Sequence, residues 1–479
     1  MQPYQMSIRE LRCRLDAREL SAGEIFAACM ERILTDQARQ DSLNAFIEVW
    51  PEEAARQAAE QDRRIAVGEA SPLLGIPLAY KDNLHLAGRG LSCASRSMEG
   101  YRARITAGVL EKAITAGALL IGRTNLDEFA IGSTGESSCF GAVRNPHDRA
   151  RVPGGSSSGS AAAVAAGMVP AALGSDTGGS VRQPASLCGI VGVKPTYGRI
   201  SRYGLVAGAS SMDHLGILAR TVEDAALVLT QLAGYDARDG SSGRQAVPAY
   251  SEGLDGDLRG IRFGLPAEYF ADGMEPEVAS GLAAAIDVLR REGADIREIH
   301  LPHFGSALSV YAIIAGAETG AACMGKPPFG IEGTDNGDLN AERLGAGVRK
   351  RVAFGIRMRD PAYPDIYRQA EKLRWSITQD FDEAFRQIDV ILTPTSPVCA
   401  FPLRAKEDDP LPPYPADVFT LSANLAGLPA LSLPCAYSRG GLPVGMQLIT
   451  APYAEHLLFR AAHRIERLLA LPAWIPVIT

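Results

Sequence analysis

Two runs of small polar residues and one lysine have the types and spacing that nucleophilic or phosphate chemistry requires. Residues 154–160 read Gly-Gly-Ser-Ser-Ser-Gly-Ser, and residues 174–180 read Gly-Ser-Asp-Thr-Gly-Gly-Ser. Lys81 stands at the end of an apolar segment. A serine hydroxyl is a weak nucleophile until a neighbouring base takes its proton. The base that the chain supplies therefore decides among three interpretations.

The first interpretation of 154–160 is a phosphate-binding loop, because successive backbone N–H groups of glycine-rich loops bind anions. A Walker loop also needs a Gly-Lys-Ser/Thr ending, whose lysine contacts the phosphates. Here the run ends Gly159-Ser160-Ala161 and has no such lysine. Nucleotide binding at this loop is therefore disfavoured.

The second interpretation is a nucleophile elbow, because residues 155–159 satisfy the G-x-S-x-G pattern with Ser157 at the centre. An elbow directly follows a strand and needs an acid and a histidine further along the chain. The preceding residues 144–149 are polar and interrupted by a proline, and no later histidine lies in a glycine-rich loop of catalytic appearance. The histidines concerned are His214, His300, His303, His456 and His463.

The third interpretation needs no histidine, because a lysine kept neutral by burial or by neighbouring dipoles can act as the base. Lys81 follows the apolar residues 76–80 and precedes an Asp-Asn pair. It thus leaves a predicted strand at the end where active sites of α/β proteins form. A single lysine is more often a solvated surface charge, so the residues alone leave this alternative open.

Three segments together resemble the amidase signature family: 75–83, 155–160 and 173–182. That family uses a serine, a second serine on a cis peptide, and a lysine. The matching positions are Ser180, Ser156 and Lys81, and their order and spacing fit the family's pattern. The resemblance implies that Ser180 attacks an amide carbonyl while Ser156 relays a proton between Ser180 and Lys81.

The resemblance also implies an oxyanion hole and a set of supporting residues. The oxyanion hole consists of the backbone N–H groups of Thr177, Gly178, Gly179 and Ser180, and glycine suits positions where backbone approaches a substrate closely. The implied supporting residues are Ser157, Asp176 and Arg182, for which ordinary loop capping is the alternative. No metal or organic cofactor is required, because the serine and the lysine supply nucleophile and base.

Within the family, the resemblance is strongest to the A subunits of tRNA-dependent glutamyl/aspartyl amidotransferases. It is carried by residues 124–130, 194–199 with 201–206, and 424–429. It implies that glutamine is the amide substrate and that released ammonia passes to the partner B and C subunits, which handle the charged tRNA.

The glutamine would be held by Arg351 at its α-carboxylate and by Asp417 at its α-amino group, with Tyr311 nearby. An arginine fork pairs bidentately with a carboxylate, and a carboxylate pairs with an ammonium group.

Residues 318–330 depart from the alanine- and serine-rich helix of these subunits, and Gly347 replaces a usual glutamate. A stand-alone or pathway-specific amidase acting on a small amide or urea-like substrate is therefore the second hypothesis. An inactive scaffold is disfavoured by the intact lysine and serines.

The composition excludes some classes of function. The 479-residue chain is 46% hydrophobic and 22% charged, which is typical of a soluble globular protein. Its net charge of −7 argues against direct nucleic-acid binding, which requires a basic face. The eight cysteines show no metal-binding spacing, and the charged start leaves no room for a signal peptide. We therefore expect a cytosolic protein that contacts no membrane and holds no metal.

The elements that position these residues alternate between strands and helices, which predicts an α/β fold. Residues 7–66 read as two or three amphipathic helices, 107–116 and 277–292 as further helices, and 76–80, 118–122, 261–264 and 390–392 as strands. The family resemblance implies a large mixed central β-sheet covered by helices on both faces. We expect one domain over 1–479, with an N-terminal helical part (1–66), a signature core (67–235) and a C-terminal part (257–479).

Overall fold

Short apolar segments alternate with amphipathic ones, and they form the strands and helices of one layered structure. The computed structural model describes residues 1–270, 273–325, 329, 331, 341–360, 364–405, 414–472 and 475. Within these residues the eleven β-strands are β1 (Phe46–Val49), β2 (Pro77–Lys81), β3 (Leu119–Thr124), β4 (Ala171–Asp176), β5 (Val191–Lys194), β6 (His214–Ala219), β7 (Arg262–Pro266), β8 (Asp295–Ile299), β9 (Val390–Pro394), β10 (Ala430–Tyr437) and β11 (Pro443–Thr450). The thirteen α-helices found there are α1 (Ile8–Asp16), α2 (Ala22–Gln37), α3 (Pro51–Ala66), α4 (Gly108–Thr115), α5 (Ser158–Ala165), α6 (Arg182–Cys188), α7 (Val222–Leu232), α8 (Pro276–Arg291), α9 (Ala307–Cys323), α10 (Ala346–Met358), α11 (Pro364–Ala384), α12 (Leu421–Leu425) and α13 (Glu455–Leu469).

All eleven strands join one sheet in the order β1-β3-β2-β4-β6-β5-β10-β11-β9-β7-β8. The pairs β2–β3, β2–β4, β7–β8 and β7–β9 are parallel, whereas the remaining neighbours are antiparallel. Every residue of β2, β4 and β6 is buried, as expected for central strands covered on both faces. The predicted large mixed sheet is confirmed.

Helices pack on both faces of the sheet. Successive residues of a strand point to opposite faces. In β11, a side chain added at Gly445 would meet Ser186 of α6, whereas the preceding residue Val444 lies beside Gly281 of α8. The two helices therefore lie on opposite faces, in agreement with the predicted architecture.

The N-terminal part contains the expected helices and one strand that was not expected. Ser21 and Glu24 form a capping box at the start of α2, as their spacing predicts. Residues 46–49, inside the range predicted to be helical, form β1 and pair with β3 at the sheet edge. Aromatic and β-branched residues favour a strand there, but four residues are too few to outweigh the helical pattern on either side.

The other predicted elements are present. The strands predicted at 76–80, 118–122, 261–264 and 390–392 are β2, β3, β7 and β9, and the helices predicted at 107–116 and 277–292 are α4 and α8. The glycine- and serine-rich residues 152–176 belong to the core, because every one of them is buried.

The parallel pair β2 and β4 brings the polar segments to one edge of the sheet. β2 ends at Lys81 and β4 ends at Asp176, so both carboxyl ends meet there. The loop that follows β4 leads into α6, and the residues just before α5 lie at the same edge, where Ser156 contacts Lys81.

One helical stretch among the described residues, Phe304–Cys323, has the length and composition of a membrane-spanning helix. Half of it is buried inside the protein, where α9 packs against α10 and α11. Core helices of globular proteins have the same composition when they are enclosed by their neighbours.

Candidate active site

Lys81 lies at the centre of a cluster of serine side chains. Its Nζ is 2.7 Å from Ser156 Oγ, 3.0 Å from Ser157 Oγ and 2.9 Å from Ser175 Oγ. Asn83 donates a hydrogen bond to Ser175 Oγ at 2.9 Å. Both Lys81 and Ser156 have no exposed surface. The structure thus brings together two of the three residues predicted to carry the reaction in direct hydrogen-bond contact.

Burial makes Lys81 easy to deprotonate. It lowers the pKa of Lys81 to about 7, although the carboxylates of Asp127, Asp176 and Asp213 act in the opposite direction. A lysine amine that is partly neutral near pH 7 can accept a proton, whereas an ordinary surface lysine cannot. The alternative that Lys81 is a solvated charge on the surface is therefore excluded.

Ser156 is held by the loop that follows β3. The peptide bond between Gly155 and Ser156 is cis, as the family resemblance implies for this serine. The carbonyl of Ser156 accepts a hydrogen bond from the N–H of Asp127 at 3.3 Å, and a side chain added at Gly155 would come 2.1 Å from the Asp127 carboxylate. Glycine is thus required at 155 because the Asp127 side chain occupies the adjacent space.

The loop from β4 to α6, which carries Ser180, is anchored by a buried ion pair. Asp176 and Arg182 are fully buried, and the guanidinium contacts both carboxylate oxygens, at 3.0 and 3.1 Å. Burial alone raises the pKa of Asp176, but the charge and hydrogen bonds of Arg182 outweigh it and hold that pKa far below its usual range. Arg182 also donates to the side chain of Gln447 and to the carbonyl of Thr420. These two supporting residues therefore stabilise the loop and do not merely cap it.

One of the four predicted oxyanion donors has another partner. The N–H of Gly179 donates to Asp176 Oδ1 at 2.8 Å, so this donor is already occupied by the carboxylate. The expectation for Gly179 is therefore corrected, while Thr177, Gly178 and Ser180 remain predicted donors. The cause is the bend of the loop around the Asp176 carboxylate, which also accepts the N–H of Val181.

Ser157 is a poor nucleophile in this arrangement. It is fully buried, its hydroxyl donates to the carbonyl of Ser175 at 3.1 Å, and its oxygen lies 3.0 Å from Lys81 Nζ. Its N–H donates to the carbonyl of Ser180 at 3.1 Å. Ser180, in contrast, is partly exposed. The geometry therefore favours Ser180 over the elbow serine and gives Ser157 a supporting position.

The three predicted substrate residues come from three separate segments beside the Ser180 loop. Tyr311 of α9 lies against Gly178, where an added side chain would come 2.8 Å from the phenol ring. The guanidinium of Arg351 in α10 is 5.5 Å from the centre of the Tyr311 ring, a cation–π distance. Asp417 ends the short helix 414–417, and its carbonyl lies 2.7 Å from Thr420 Oγ1, which is also 2.6 Å from the carbonyl of Gly178.

Comparison with known proteins identifies the family. Residues 24–459 match the model of the family described as Amidase. The chain belongs to the amidase family. This confirms the membership that the sequence motifs indicate, and it shows that the chain is an amidohydrolase.

The alignments with similar proteins cover almost the whole length of this amidase. It is 47% identical to the A subunit of the glutamyl-tRNA(Gln) amidotransferase of Roseiflexus sp. (strain RS-1), over 97% of this chain and 96% of the relative. The crystal structure of the glutamyl-tRNA(Gln) amidotransferase A subunit from Thermotoga maritima is 39% identical with a TM-score of 0.81, covering 98% of this chain and 95% of that one. The native peptide amidase from Stenotrophomonas maltophilia is 31% identical with a TM-score of 0.86, covering 99% and 98%.

The atypical segment 318–330 of this amidase lies partly within α9. Glu318 accepts a hydrogen bond from the N–H of Ser211 at 2.9 Å, which ties α9 to the loop before β6. Residues 326–328 and 330 lie outside the described residues. In the part of the chain that the structure describes, no group of three metal-ligating side chains is found.

Sequence reasoning missed several side chains of the site. Ser175 contacts Lys81, Asn83 binds Ser175, and Asp127 supports the Gly155–Ser156 peptide. These three lie inside the motifs that carry the family resemblance, so their place in those motifs was a usable signal. Thr420 had no local signal, because its contact with Gly178 joins residues far apart in the chain.

Proposed function

We propose that this amidase hydrolyses a carboxamide through an acyl-enzyme on Ser180, with Ser156 and Lys81 relaying the proton. The observation that carries the proposal is the buried contact of 2.7 Å between Lys81 Nζ and Ser156 Oγ. The lowered pKa of Lys81, about 7, supports its role as the base. The partly exposed Ser180 supplies the nucleophile.

The steps follow from this arrangement. Neutral Lys81 accepts the proton of Ser156, and Ser156 takes the proton of Ser180 as that oxygen attacks the carboxamide carbon. The N–H groups of Thr177, Gly178 and Ser180 stabilise the negative charge that develops on the carbonyl oxygen. Ser156 then delivers the proton to the leaving nitrogen and recovers its own proton from Lys81, so that ammonia departs, the acyl group stays on Ser180 and Lys81 is neutral again. Water attacks the ester through the same relay and releases the acid.

Glutamine is the substrate that the surrounding charges favour. The Arg351 guanidinium lies over the ring of Tyr311, and the backbone carbonyl of Asp417 lies next to that of Gly178, on either side of Thr420 Oγ1. One basic and one acidic residue beside the Ser180 loop suit the carboxylate and ammonium ends of an amino acid. Relatives at 39 to 47% identity are named as A subunits of glutamyl-tRNA(Gln) amidotransferases. In this role the chain supplies ammonia to the partner B and C subunits, which modify the charged tRNA in the cytosol.

The test compares ammonia release from glutamine and from simple amides, by the chain alone and with added B and C subunits. We expect glutamine to be hydrolysed faster than simple amides and the rate to rise with the partners. Broad amide cleavage with indifference to glutamine would favour the second candidate, a stand-alone amidase for small amides. That candidate is supported by the departure of residues 318–330 from the pattern of the A subunits.

A matched pair of variants tests the nucleophile. Ser180→Ala should abolish ammonia release and covalent labelling by a fluorophosphonate. Ser157→Ala, which removes a hydroxyl that lies 3.0 Å from Lys81, should lower the rate but keep the labelling. Labelling of Ser180→Ala together with loss of labelling in Ser157→Ala would instead identify Ser157 as the nucleophile.

A further inference from the structure

Thr420 lies between the Ser180 loop and the turn that carries Asp417. Its side chain is fully buried, and its Oγ1 is 2.6 Å from the carbonyl of Gly178 and 2.7 Å from the carbonyl of Asp417. The Asp417 carbonyl also accepts the N–H of Thr420 at 2.9 Å. Because a hydroxyl has a single proton, Asp417 keeps a donor when the Thr420 proton points at Gly178.

The peptide unit between Gly178 and Gly179 is held at both ends. Its carbonyl accepts from Thr420, and its N–H donates to Asp176 Oδ1 at 2.8 Å. A peptide unit is planar, so two hydrogen bonds on opposite edges fix its orientation. This fixed unit joins the two peptide units that carry the N–H groups of Gly178 and Ser180, which are predicted oxyanion donors.

This peptide unit joins two glycines, which have no side chains to restrict its rotation. The two hydrogen bonds are therefore what holds it. Gly179 has a φ of 133°, a conformation that only glycine adopts readily. A side chain added at Gly179 would come 2.1 Å from Thr420 Oγ1, which shows how closely Thr420 approaches the loop. Thr420 is itself fixed, because its carbonyl accepts from Arg182 at 3.1 Å.

We propose that Thr420 is a positioning residue whose hydroxyl locks the Gly178–Gly179 peptide, while its N–H holds the carbonyl of Asp417. The proposal rests on the proposed roles of Ser180 and Asp417. It predicts that the hydroxyl contributes to the stabilisation of the oxyanion through this peptide, while the N–H of Thr420 holds the carbonyl of Asp417.

The test compares Thr420→Val, which keeps the shape but loses the donor, with Thr420→Ser, which keeps the donor. kcat and KM are measured for glutamine and for its analogue without the α-amino group, per active site counted by fluorophosphonate labelling. Thr420→Val should lower kcat for both substrates by about 100-fold, the effect of impairing an oxyanion hole. It should leave the difference in KM between the two substrates unchanged, because the N–H of Thr420 still holds the carbonyl of Asp417. Thr420→Ser should stay within about threefold of wild type, because the donor is retained.

Asp417→Asn is the comparison variant for substrate recognition. It should raise KM for glutamine far more than KM for the analogue, which lacks the amino group that Asp417 is proposed to bind. A Thr420→Val variant with wild-type kcat per labelled site, whatever its melting temperature, would overturn the proposal, and so would a Thr420→Ser variant as slow as Thr420→Val. If the wild type cleaves simple amides but not glutamine, the glutamine assignment fails. In that case the kcat comparison on those amides still decides the role of Thr420.

Discussion

The core around Lys81 and the helices that carry Tyr311 and Arg351 are built in different ways. Around Lys81, residues 152–176 are all buried and cross-linked by side-chain hydrogen bonds. Of the two helices that carry Tyr311 and Arg351, α10 instead exposes large apolar side chains, Phe354 at 38% and Ile356 at 48%. In the first region a single change disturbs many partners, whereas the second is attached along one side. Bond cleavage is therefore expected to depend on the core, and the choice of substrate on the helices.

The largest expected effect comes from replacing the base. Lys81→Met keeps an unbranched apolar side chain in the buried site but removes the proton acceptor. We expect a loss of roughly 10⁴-fold in kcat with little change in KM, since triad residues act as a unit on the transition state. Steady-state ammonia release measures this, with circular dichroism to check folding. A folded Lys81→Met variant with more than a tenth of the wild-type kcat would refute the assignment of the base.

Breaking the ion pair that anchors the Ser180 loop should have the next largest effect. Arg182→Met leaves the Asp176 carboxylate buried without its charge partner, which costs about 3–5 kcal/mol of unfolding free energy. Arg386→Met, at an exposed pair with Glu383, should cost at most about 1 kcal/mol. Urea denaturation of both variants gives the comparison, and equal losses would show that the core is no more tightly coupled than the surface.

Removing the cation beside Tyr311 should change recognition and spare chemistry. Arg351→Met should raise KM for glutamine by about 10- to 100-fold, the value of a hydrogen bond to a charged group, and leave kcat for a neutral amide unchanged. Lys350→Met, at an exposed position of the same helix, is the control and should behave as wild type. A fall in kcat for the neutral amide would contradict the separation of the two regions.

The smallest effect concerns the crossing of α9 and α10. A side chain added at Gly355 would come 1.9 Å from the carbonyl of Gly316, so Gly355→Ala must separate the helices at a cost of about 1–3 kcal/mol. Because Arg351 is one turn away on α10, KM for glutamine should rise a few-fold. Gly347→Ala, at the exposed start of α10 with no atom near the added group, should leave KM unchanged. Equal KM values for the two variants would show that the crossing does not position Arg351.

Much of the core could be predicted because its signals are local. Lys81 follows an apolar strand, and the serine-rich runs lie within short motifs. Asp176 and Arg182 are six residues apart, so a pairing between them was within reach of the sequence. The strands β2, β3, β7 and β9 were likewise predicted from short apolar segments.

The remaining features depend on contacts between distant segments. Thr420 reaches Gly178 only after α12 has docked beside α6, and no local pattern indicates this. The bond from Gly179 to Asp176 depends on how the loop bends, which the run of glycines leaves undetermined. Strand β1 has four residues between two helices, too few for a periodic signal.

The most direct test of Lys81 as a neutral base is the pH dependence of the acylation of Ser180, followed in single-turnover experiments. Only the neutral amine accepts a proton, and its fraction rises as the pH increases through the lowered pKa of about 7. The rate should therefore increase about tenfold per pH unit below pH 7 and become constant above it. A rate that is independent of pH between 5 and 9, or one that falls as the pH rises through 7, would contradict the account.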